Sequence, residues 1–252
     1  MYETLSADYD RFVNWQNRLT TELPFIIERL KESGARQVLD AATGTGMHAI
    51  ALAQNGYTST GVDISPGMVE HARRNAQAAG LSIRFEVAGF GNLAATLGTD
   101  SFDALICLGN SLPHLLSRTD LDKTLVDFAS CLKPGGMLLI QNRNFDAVIA
   151  NHQRWMEPQS HSNNGEELIF QRFYDFDSDG LLTFNMVILK RQPEGNWTQK
   201  IISSRMRPLL KFELFLCLSE AGFTRLSAFG DMTGAHYDHD RSPNLVVVAR
   251  KK

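Results

Sequence analysis

Cysteine is scarce in this sequence, with only Cys107, Cys131 and Cys217 among 252 residues. The three are odd in number, far apart, and each has apolar neighbours. We therefore expect reduced core residues, not a disulfide framework, a catalytic thiol or a cysteine-based metal site.

A long apolar run and a strong net charge are also missing. No run approaches the length of a membrane span, and the first eight residues have neither the charged nor the apolar part of a signal peptide, so we expect a cytoplasmic protein without a membrane anchor. The net charge of −3 gives no electrostatic reason for nucleic acid as a partner. With 43% hydrophobic and 21% charged residues, the composition is typical of a globular protein.

The sequence does have a glycine-rich turn at residues 38–46, VLDAATGTG, followed by a helical stretch. Because Gly44 and Gly46 carry no Cβ, their backbone N–H groups can closely approach a nucleotide-like ligand at a strand-to-helix junction. The turn alone does not identify the ligand. Gly44, Gly46 and Ala49 also fit the G-x-G-x-x-A pattern of nicotinamide-binding proteins.

An acidic residue ends the second predicted strand. Asp63 lies about twenty residues beyond Gly44, the distance at which a βαβ unit delivers a carboxylate to the two ribose hydroxyls of a nucleotide. The alternative is that Asp63 caps the next helix, although Ser65 and Pro66 already provide a helix start.

Two later strands complete the pattern. Residues 101–108 form an apolar run typical of a buried parallel strand, and it ends at the polar segment 109–114, GNSLPH. Residues 133–136, KPGG, form a turn before a fifth strand at residues 137–142, MLLIQN. This turn is a feature of methyltransferases and is not expected in nicotinamide dehydrogenases.

Residues 38–248 thus resemble a class I S-adenosylmethionine-dependent methyltransferase. Within that superfamily, residues 106–115, ICLGNSLPHL, and 142–146, NRNFD, are similar to segments of the glycine (sarcosine) N-methyltransferase family. The resemblance implies an α/β fold: a Rossmann-like seven-stranded methyltransferase sheet with helices on both faces and an inserted antiparallel strand region. It also implies S-adenosyl-L-methionine as the cofactor.

We expect one domain over residues 1–252. It would comprise an N-terminal helical cap (1–35), a cofactor-binding core (36–146), an inserted antiparallel region or lid (147–210) and a C-terminal helix and strands that complete the sheet (211–252). The cap is predicted as two helices, with Pro24 beginning the second and Gly34 ending it. The inserted region is predicted as three strands, the first two joined by a hairpin turn at residues 177–180, DSDG.

The resemblance implies which residues bind the cofactor. An aromatic residue and an arginine of the cap often face this ligand, so Tyr9 and Arg18 are candidates, although a plain surface helix is the alternative. Gly89 stands where most family members have a polar side chain for the adenine amino group, which leaves Phe90 to pack on the ring. The expected set is Arg18, Asp40, Ala42, Gly44, Gly46, Asp63, Ile64, Met68, Gly89, Phe90 and Leu108.

Three residues are candidates for the acceptor and the chemistry. Arg143 matches the family arginine that holds the acceptor carboxylate, and its planar fork suits that group; a surface ion pair with Asp146 or another acid is the alternative. Asn110 would hydrogen-bond the acceptor. His114 would orient the amine or accept its proton, or else simply begin a helix.

The sequence also departs from the family. The family pocket includes tyrosines from the later region, whereas residues 203–208, SSRMRP, carry Arg205 and Arg207. These arginines would suit a more acidic acceptor or be solvated charges. The cluster at residues 236–240, HYDHD, looks like a metal site, but its spacing and lack of an upstream partner favour a polar loop, so no metal is expected.

The resulting prediction is N-methylation of a small amino-acid-like substrate of the glycine or sarcosine type. One alternative is O- or C-methylation of a small molecule in a biosynthetic pathway. Another is a non-catalytic S-adenosylmethionine-binding protein that uses its inserted strands as a partner surface. The expected partner is a small molecule, with no nucleic acid or membrane, and a homo-oligomer is possible.

Overall fold

The computed structural model describes residues 13–163, 166–192 and 195–252. Tyr9 lies outside them. Helix α1 spans Trp15–Ser33, begins where the Asn14 side chain accepts from the Asn17 amide, and ends at Gly34 in the left-handed conformation. The prediction that Pro24 begins a second helix was wrong, because Pro24 lies inside α1. Proline removes one helical donor, and burial of Phe25, Ile26 and Leu30 on the inner face of α1 stabilises the continuous helix.

The central sheet has seven strands in the order β10, β11, β5, β4, β1, β2, β3. Strands β1 to β5 are mutually parallel, whereas β11 is antiparallel to β5 and β10 is antiparallel to β11. The predicted seven-stranded methyltransferase sheet is confirmed. Its strands are β1 (Gln37–Ala41), β2 (Thr58–Asp63), β3 (Arg84–Val87), β4 (Phe102–Cys107), β5 (Leu132–Arg143), β10 (Phe223–Phe229) and β11 (Asn244–Lys251).

Helices cover both faces of this sheet. Helix α1 packs over one face through a cluster that includes Ile26, Leu30 and Leu139, and a second cluster containing Phe128, Leu214 and Leu245 fills the other face. The remaining helices are α2 (Met47–Gln54), α3 (Pro66–Ala78), α4 (Leu93–Leu97), α5 (Arg118–Cys131), α6 (Phe145–Ala150) and α7 (Lys211–Glu220), with a short 3-10 helix at Leu112–His114.

The predicted turn at residues 133–136 interrupts the ladder between β4 and β5. Leu132 pairs with Phe102 and Met137 with Ala104, so four residues of β5 stand opposite Asp103 alone. The Lys133 ammonium donates to the Asp103 carboxylate at 2.7 Å and ties the loop down. Regular pairing then resumes and continues to Cys107 opposite Ile140.

The inserted region is a separate four-stranded antiparallel sheet in the order β6, β7, β8, β9. Its strands are β6 (Gln159–Asn163), β7 (Glu166–Phe176), β8 (Leu182–Arg191) and β9 (Trp197–Met206). The predicted hairpin is confirmed, since Phe176 pairs with Leu182 and the Asp177 amide donates to the Leu181 carbonyl at 3.0 Å. Strand β6 was not predicted, because its polar sequence QSHSN has no apolar alternation.

All three cysteines are buried and unpaired. Among the described residues, no helix is both long and apolar enough to cross a membrane.

Candidate active site

A cavity of about 580 Å³ opens at the carboxyl ends of β1, β2, β3 and β4, where α/β folds place their ligands. It brings together ten of the eleven predicted cofactor residues, all except Gly46, and also the predicted His114. The residues that line it are Trp15, Arg18, Asp40, Ala42, Thr43, Gly44, His48, Asp63, Ile64, Met68, Ala88, Gly89, Phe90, Asn92, Leu108, Gly109, Ser111, His114, Leu115 and Ser204.

The turn after β1 supplies the floor of this cavity. Ala42 and Gly44 both have positive φ, 65° and 56°, which turns the chain sharply between strand and helix. The Thr43 amide donates to the Val62 carbonyl at 2.7 Å and fixes the turn to β2. Gly46 does not line the cavity; a Cβ on it would lie 2.8 Å from the Ala72 Cβ, so this glycine permits close packing of α2 and α3.

Asp40 is a buried carboxylate at the end of β1, with 2% of its surface exposed. The Thr43 hydroxyl donates to its Oδ2 atom at 2.7 Å. Burial raises the pKa of Asp40 to about 6, against the opposing effects of His48, Thr43 and Arg18. The site therefore holds a carboxylate whose charge burial disfavours and a bound cation would stabilise.

Asp63 is anchored by backbone amides. Its Oδ2 accepts from the Gly44 amide at 2.9 Å and its Oδ1 accepts from the Ser65 amide at 2.9 Å. The N-cap of α3 is Ser65, whose hydroxyl accepts from the Met68 amide, so Asp63 is not the capping residue. The two amide bonds hold the Asp63 carboxylate at the cavity wall beside the glycine turn.

The cavity wall beyond β3 consists of apolar side chains and the side-chain amide of Asn92. The Phe90 ring stands edge-on to the Phe128 ring at a centroid distance of 5.5 Å. Ile64 lines the same cavity and has 71% of its surface exposed. The sequence analysis missed Asn92, which lines the same wall and makes no side-chain hydrogen bond as the N-cap of α4. Its type and its place three residues after Gly89 were the available signal.

Strand β9 of the inserted sheet reaches the cavity wall that carries His114. The Ser204 hydroxyl of β9 lies 3.2 Å from His114 Nδ1, and the Arg207 amide donates to the Pro113 carbonyl at 2.7 Å. Burial lowers the pKa of His114, although a hydrogen bond from the imidazole to the backbone of Arg205 opposes this effect. His114 is therefore neutral at neutral pH and faces the cavity.

Asn110 and Arg143 meet each other beside this cavity but do not line it. The Arg143 amide donates to Asn110 Oδ1 at 2.9 Å, which joins the ends of β4 and β5. Among the described residues no carboxylate pairs with the Arg143 guanidinium, whose Nη2 lies 3.5 Å from Gln153 Oε1. Asp146, its alternative partner, instead accepts from the Tyr237 hydroxyl at 2.8 Å.

A second cavity of about 940 Å³ shares Trp15 and Arg18 with the first. Arg172 of β7, His161 of β6 and Asn244 also line it, and Asn244 pairs with Arg143 across the β5–β11 ladder. Burial lowers the pKa of Arg172 and the charge of Arg143 lowers it further, against the opposing effect of Tyr174. Sequence reasoning missed Arg172, since a strand arginine gives no local signal of its surroundings.

The other polar residues singled out in the sequence are held by ion pairs. Arg205 pairs with Asp179 in the lid hairpin at 2.5 Å, and Arg207 pairs with Glu213 of α7. His239 contacts Asp240 at 2.7 Å at the exposed loop. Within the described ranges, no three His, Cys, Asp or Glu side chains are grouped so as to hold a metal ion.

The first cavity fits S-adenosylmethionine on its own features. Asp40 and Asp63 are acceptors of the kind that a cationic amine and ribose hydroxyls require, and Phe90 and Ile64 are apolar surfaces of the kind that a base requires. Gly109 lies against the Arg18 guanidinium, since a Cβ there would be in ordinary van der Waals contact with Arg18 Nη2, at 3.6 Å. Arg18 provides a cation for a carboxylate.

Comparison with known proteins agrees with this geometry. Residues 38–136 match the family described as a methyltransferase domain. The glycine/sarcosine N-methyltransferase of Aphanothece halophytica is 32% identical over 244 residues, covering 97% of this chain and 86% of the relative. The glycine N-methyltransferase of Rattus norvegicus is 35% identical over 136 residues, covering 50% of this chain and 46% of that protein.

Solved structures show the same fold. An S-adenosylmethionine-dependent methyltransferase from Clostridium acetobutylicum superimposes with a TM-score of 0.80 at 18% identity, covering 99% of this chain and 98% of that one. The full-length identity to the bacterial N-methyltransferases decides the family and leaves the non-catalytic interpretation unfavoured. The chain belongs to the glycine/sarcosine N-methyltransferase family of S-adenosylmethionine-dependent methyltransferases.

Proposed function

We propose that this enzyme methylates the amine of a small amino-acid-like acceptor of the glycine or sarcosine type. The observation that carries the proposal is the Arg143 guanidinium at the end of β5, which no carboxylate neutralises among the described residues. A guanidinium in that state suits a small carboxylate ligand, which can accept two parallel hydrogen bonds from it. The names of the bacterial relatives support the same acceptor class.

The cofactor supplies a methyl group already activated by the neighbouring sulfonium. The chain must therefore hold the acceptor in line with that methyl group and exclude water. In this proposal Asp63 binds the ribose, Asp40 and Arg18 bind the amino-acid end, and Phe90 with Asn92 binds the adenine. These contacts orient the donor from several sides of the cavity.

The acceptor amine must arrive with a free electron pair. Cationic neighbours such as Arg143 and Arg172 lower the pKa of a bound ammonium group and favour its neutral form. His114, itself neutral, would then orient the amine or accept the proton that the methylated nitrogen releases. Asn110 holds Arg143 in place through the backbone of β5.

The parts of the chain divide this work in our proposal. Residues 36–146 bind the cofactor, residues 1–35 cap it, residues 147–210 form the lid on the acceptor side, and residues 211–252 complete the sheet, all as one domain. A small-molecule acceptor fits the two adjoining cavities, and nucleic acid is not expected as a partner.

The test is mass-spectrometric detection of methylated product from glycine, sarcosine and dimethylglycine, followed by kinetics of Arg143→Ala. Loss of a charged hydrogen-bonding partner should raise the acceptor KM by about 10- to 100-fold without weakening cofactor binding. Arg84→Ala, which removes an exposed arginine on β3, is the control. An unchanged KM in Arg143→Ala would rule out the carboxylate assignment.

A further inference from the structure

Four side chains join helix α1 to the cofactor cavity: Trp15, Arg18, Glu22 and His48, here called the α1 clamp. Glu22 has no contact with the cavity in its own right, whereas the other three line it. We propose that Glu22 and His48 are positioning residues that hold Arg18 in the geometry required for cofactor binding. This inference rests on the proposed role of Arg18.

Glu22 holds the Arg18 guanidinium by its inner nitrogen. Its Nε donates to both oxygens of Glu22, at 3.1 and 3.0 Å, one helical turn further along α1. Its terminal nitrogens extend away from this contact, towards Gly109 at the end of β4. Glu22 therefore anchors the inner nitrogen of the guanidinium and leaves the outer edge facing the cavity.

His48 of α2 in turn holds the Glu22 carboxylate. His48 Nε2 lies 2.7 Å from Glu22 Oε2, and the two side chains are 5% and 12% exposed. His48 belongs to α2, directly after the glycine turn, so this contact joins the cap helix to the element that binds the cofactor. Burial alone would raise the pKa of Glu22, but the hydrogen bond from His48 and the charge of Arg18 lower it overall.

Trp15 contacts both His48 and Arg18 and so completes the α1 clamp. The Trp15 ring stands edge-on to His48 at 5.5 Å and carries the Arg18 guanidinium over its face at 5.2 Å. Each of Trp15, Arg18 and Glu22 lies on the same side of α1, because their spacing of three and four residues follows the helical period. A change at Glu22 therefore releases Arg18 without removing a side chain that lines the cofactor cavity.

The test is a double-mutant cycle on the affinity for S-adenosylhomocysteine, measured by calorimetry, so no acceptor is needed. We expect Glu22→Gln to weaken binding roughly tenfold, as is usual for residues that orient a liganding side chain. In an Arg18→Gln background the same change should cost nothing more, since there is no guanidinium left to position. Equal losses in both backgrounds would overturn the inference and leave Glu22 a merely structural residue.

Two further variants keep the test independent of folding defects. His48→Gln retains a donor to Glu22 and should stay within about threefold of the native affinity, whereas His48→Leu should match Glu22→Gln. Native affinity in His48→Leu would contradict the clamp. Glu32→Gln is the matched control, since it removes the Glu32–Arg29 pair on the same helix, at 3.0 Å, away from the cavity.

The cycle also separates the two proposals. If Arg18→Gln itself binds S-adenosylhomocysteine with native affinity, the proposed role of Arg18 fails and this inference fails with it. If Arg18→Gln binds weakly but the Glu22 effect is additive, the role of Arg18 stands and the clamp is overturned.

Discussion

The proposed cofactor side and the proposed acceptor side of this site are held in different ways. On the proposed cofactor side, Asp40 and Asp63 stand at the ends of adjacent parallel strands, and backbone amides or a neighbouring hydroxyl hold their carboxylates. On the proposed acceptor side, His114 meets strand β9 of the separate inserted sheet. The first arrangement depends on the local turn, and the second depends on how two sheets pack together.

The junction between these two sheets combines apolar and polar contacts. Apolar side chains of α6 and the lid pack together, including Phe145, Tyr174 and Met206, and two polar contacts link β9 to the 3-10 helix. Changes in the lid can therefore alter the acceptor side while the cofactor turn stays intact.

The largest expected difference between the two regions concerns a glycine in each. Gly46 on the cofactor side and Gly180 in the lid hairpin both have positive φ, 82° and 81°. A Cβ at Gly46 would meet Ala72 at 2.8 Å and Phe85 at 2.9 Å, whereas a Cβ at Gly180 would meet nothing within 4 Å. Both alanine variants pay for the left-handed backbone, but only Gly46→Ala also crowds the core.

We expect Gly180→Ala to lower the free energy of unfolding by about 1 kcal/mol and Gly46→Ala by about 3 kcal/mol or more. Urea unfolding of both variants measures the difference. Equal losses would show that α2 and α3 can move apart to accept a methyl group, and that the cofactor side is less rigid than the packing indicates.

The same contrast explains what could be predicted from the sequence. The glycine turn, Asp63 and the hairpin at residues 177–180 are contiguous patterns whose chemistry follows from local geometry, and the seven-stranded sheet was expected from the family resemblance. Trp15, His48 and Ser204 were missed, because each becomes a cavity residue through the packing of elements against one another, whereas Asn92 was missed despite its place three residues after Gly89. The continuous helix through Pro24 was missed for a related reason, since buried apolar contacts outweighed a local breaker.

The next prediction concerns the cost of the buried carboxylate on the cofactor side. Asp40 has a pKa of about 6 in the folded chain against 3.8 for the ordinary group. Well below pH 3.8 Asp40 is protonated in both the folded and the unfolded state and contributes no difference. Between pH 3.8 and about 6 the unfolded chain ionises while the folded chain keeps the proton, so stability falls over this window and stays lower by about 2–3 kcal/mol above it.

Asp40→Asn should therefore stabilise the cofactor-free protein by about 2–3 kcal/mol at pH 7.5 and have no such effect at pH 4, while it weakens cofactor binding. Urea unfolding at the two pH values is the measurement. Asp103→Asn on β4 is the control of opposite sign: burial there favours a higher pKa, but hydrogen bonds from Gln37 and Lys133 lower it. A pH-independent gain in Asp40→Asn would contradict this explanation.

The smallest expected effect concerns the junction on the acceptor side. Ser204 and Ser203 are neighbours on β9, but the Ser204 hydroxyl lies 3.2 Å from His114 Nδ1, whereas the Ser203 hydroxyl donates to Asn185 within the lid at 2.6 Å. Ser204→Ala removes a neutral hydrogen bond that orients the His114 ring, which is worth about 1 kcal/mol. We expect kcat to fall about threefold to fivefold with the cofactor affinity unchanged.

Ser203→Ala is the matched control, because it removes a hydroxyl from the same strand without touching His114. Steady-state kinetics with whichever acceptor the mass-spectrometric test identifies, together with calorimetric titration of S-adenosylhomocysteine, separates the two variants. If both serine variants lower kcat equally, the effect comes from the stability of the lid. If only Ser204→Ala does so, a lid residue orients a group of the core, and the acceptor side depends on the junction between the two sheets.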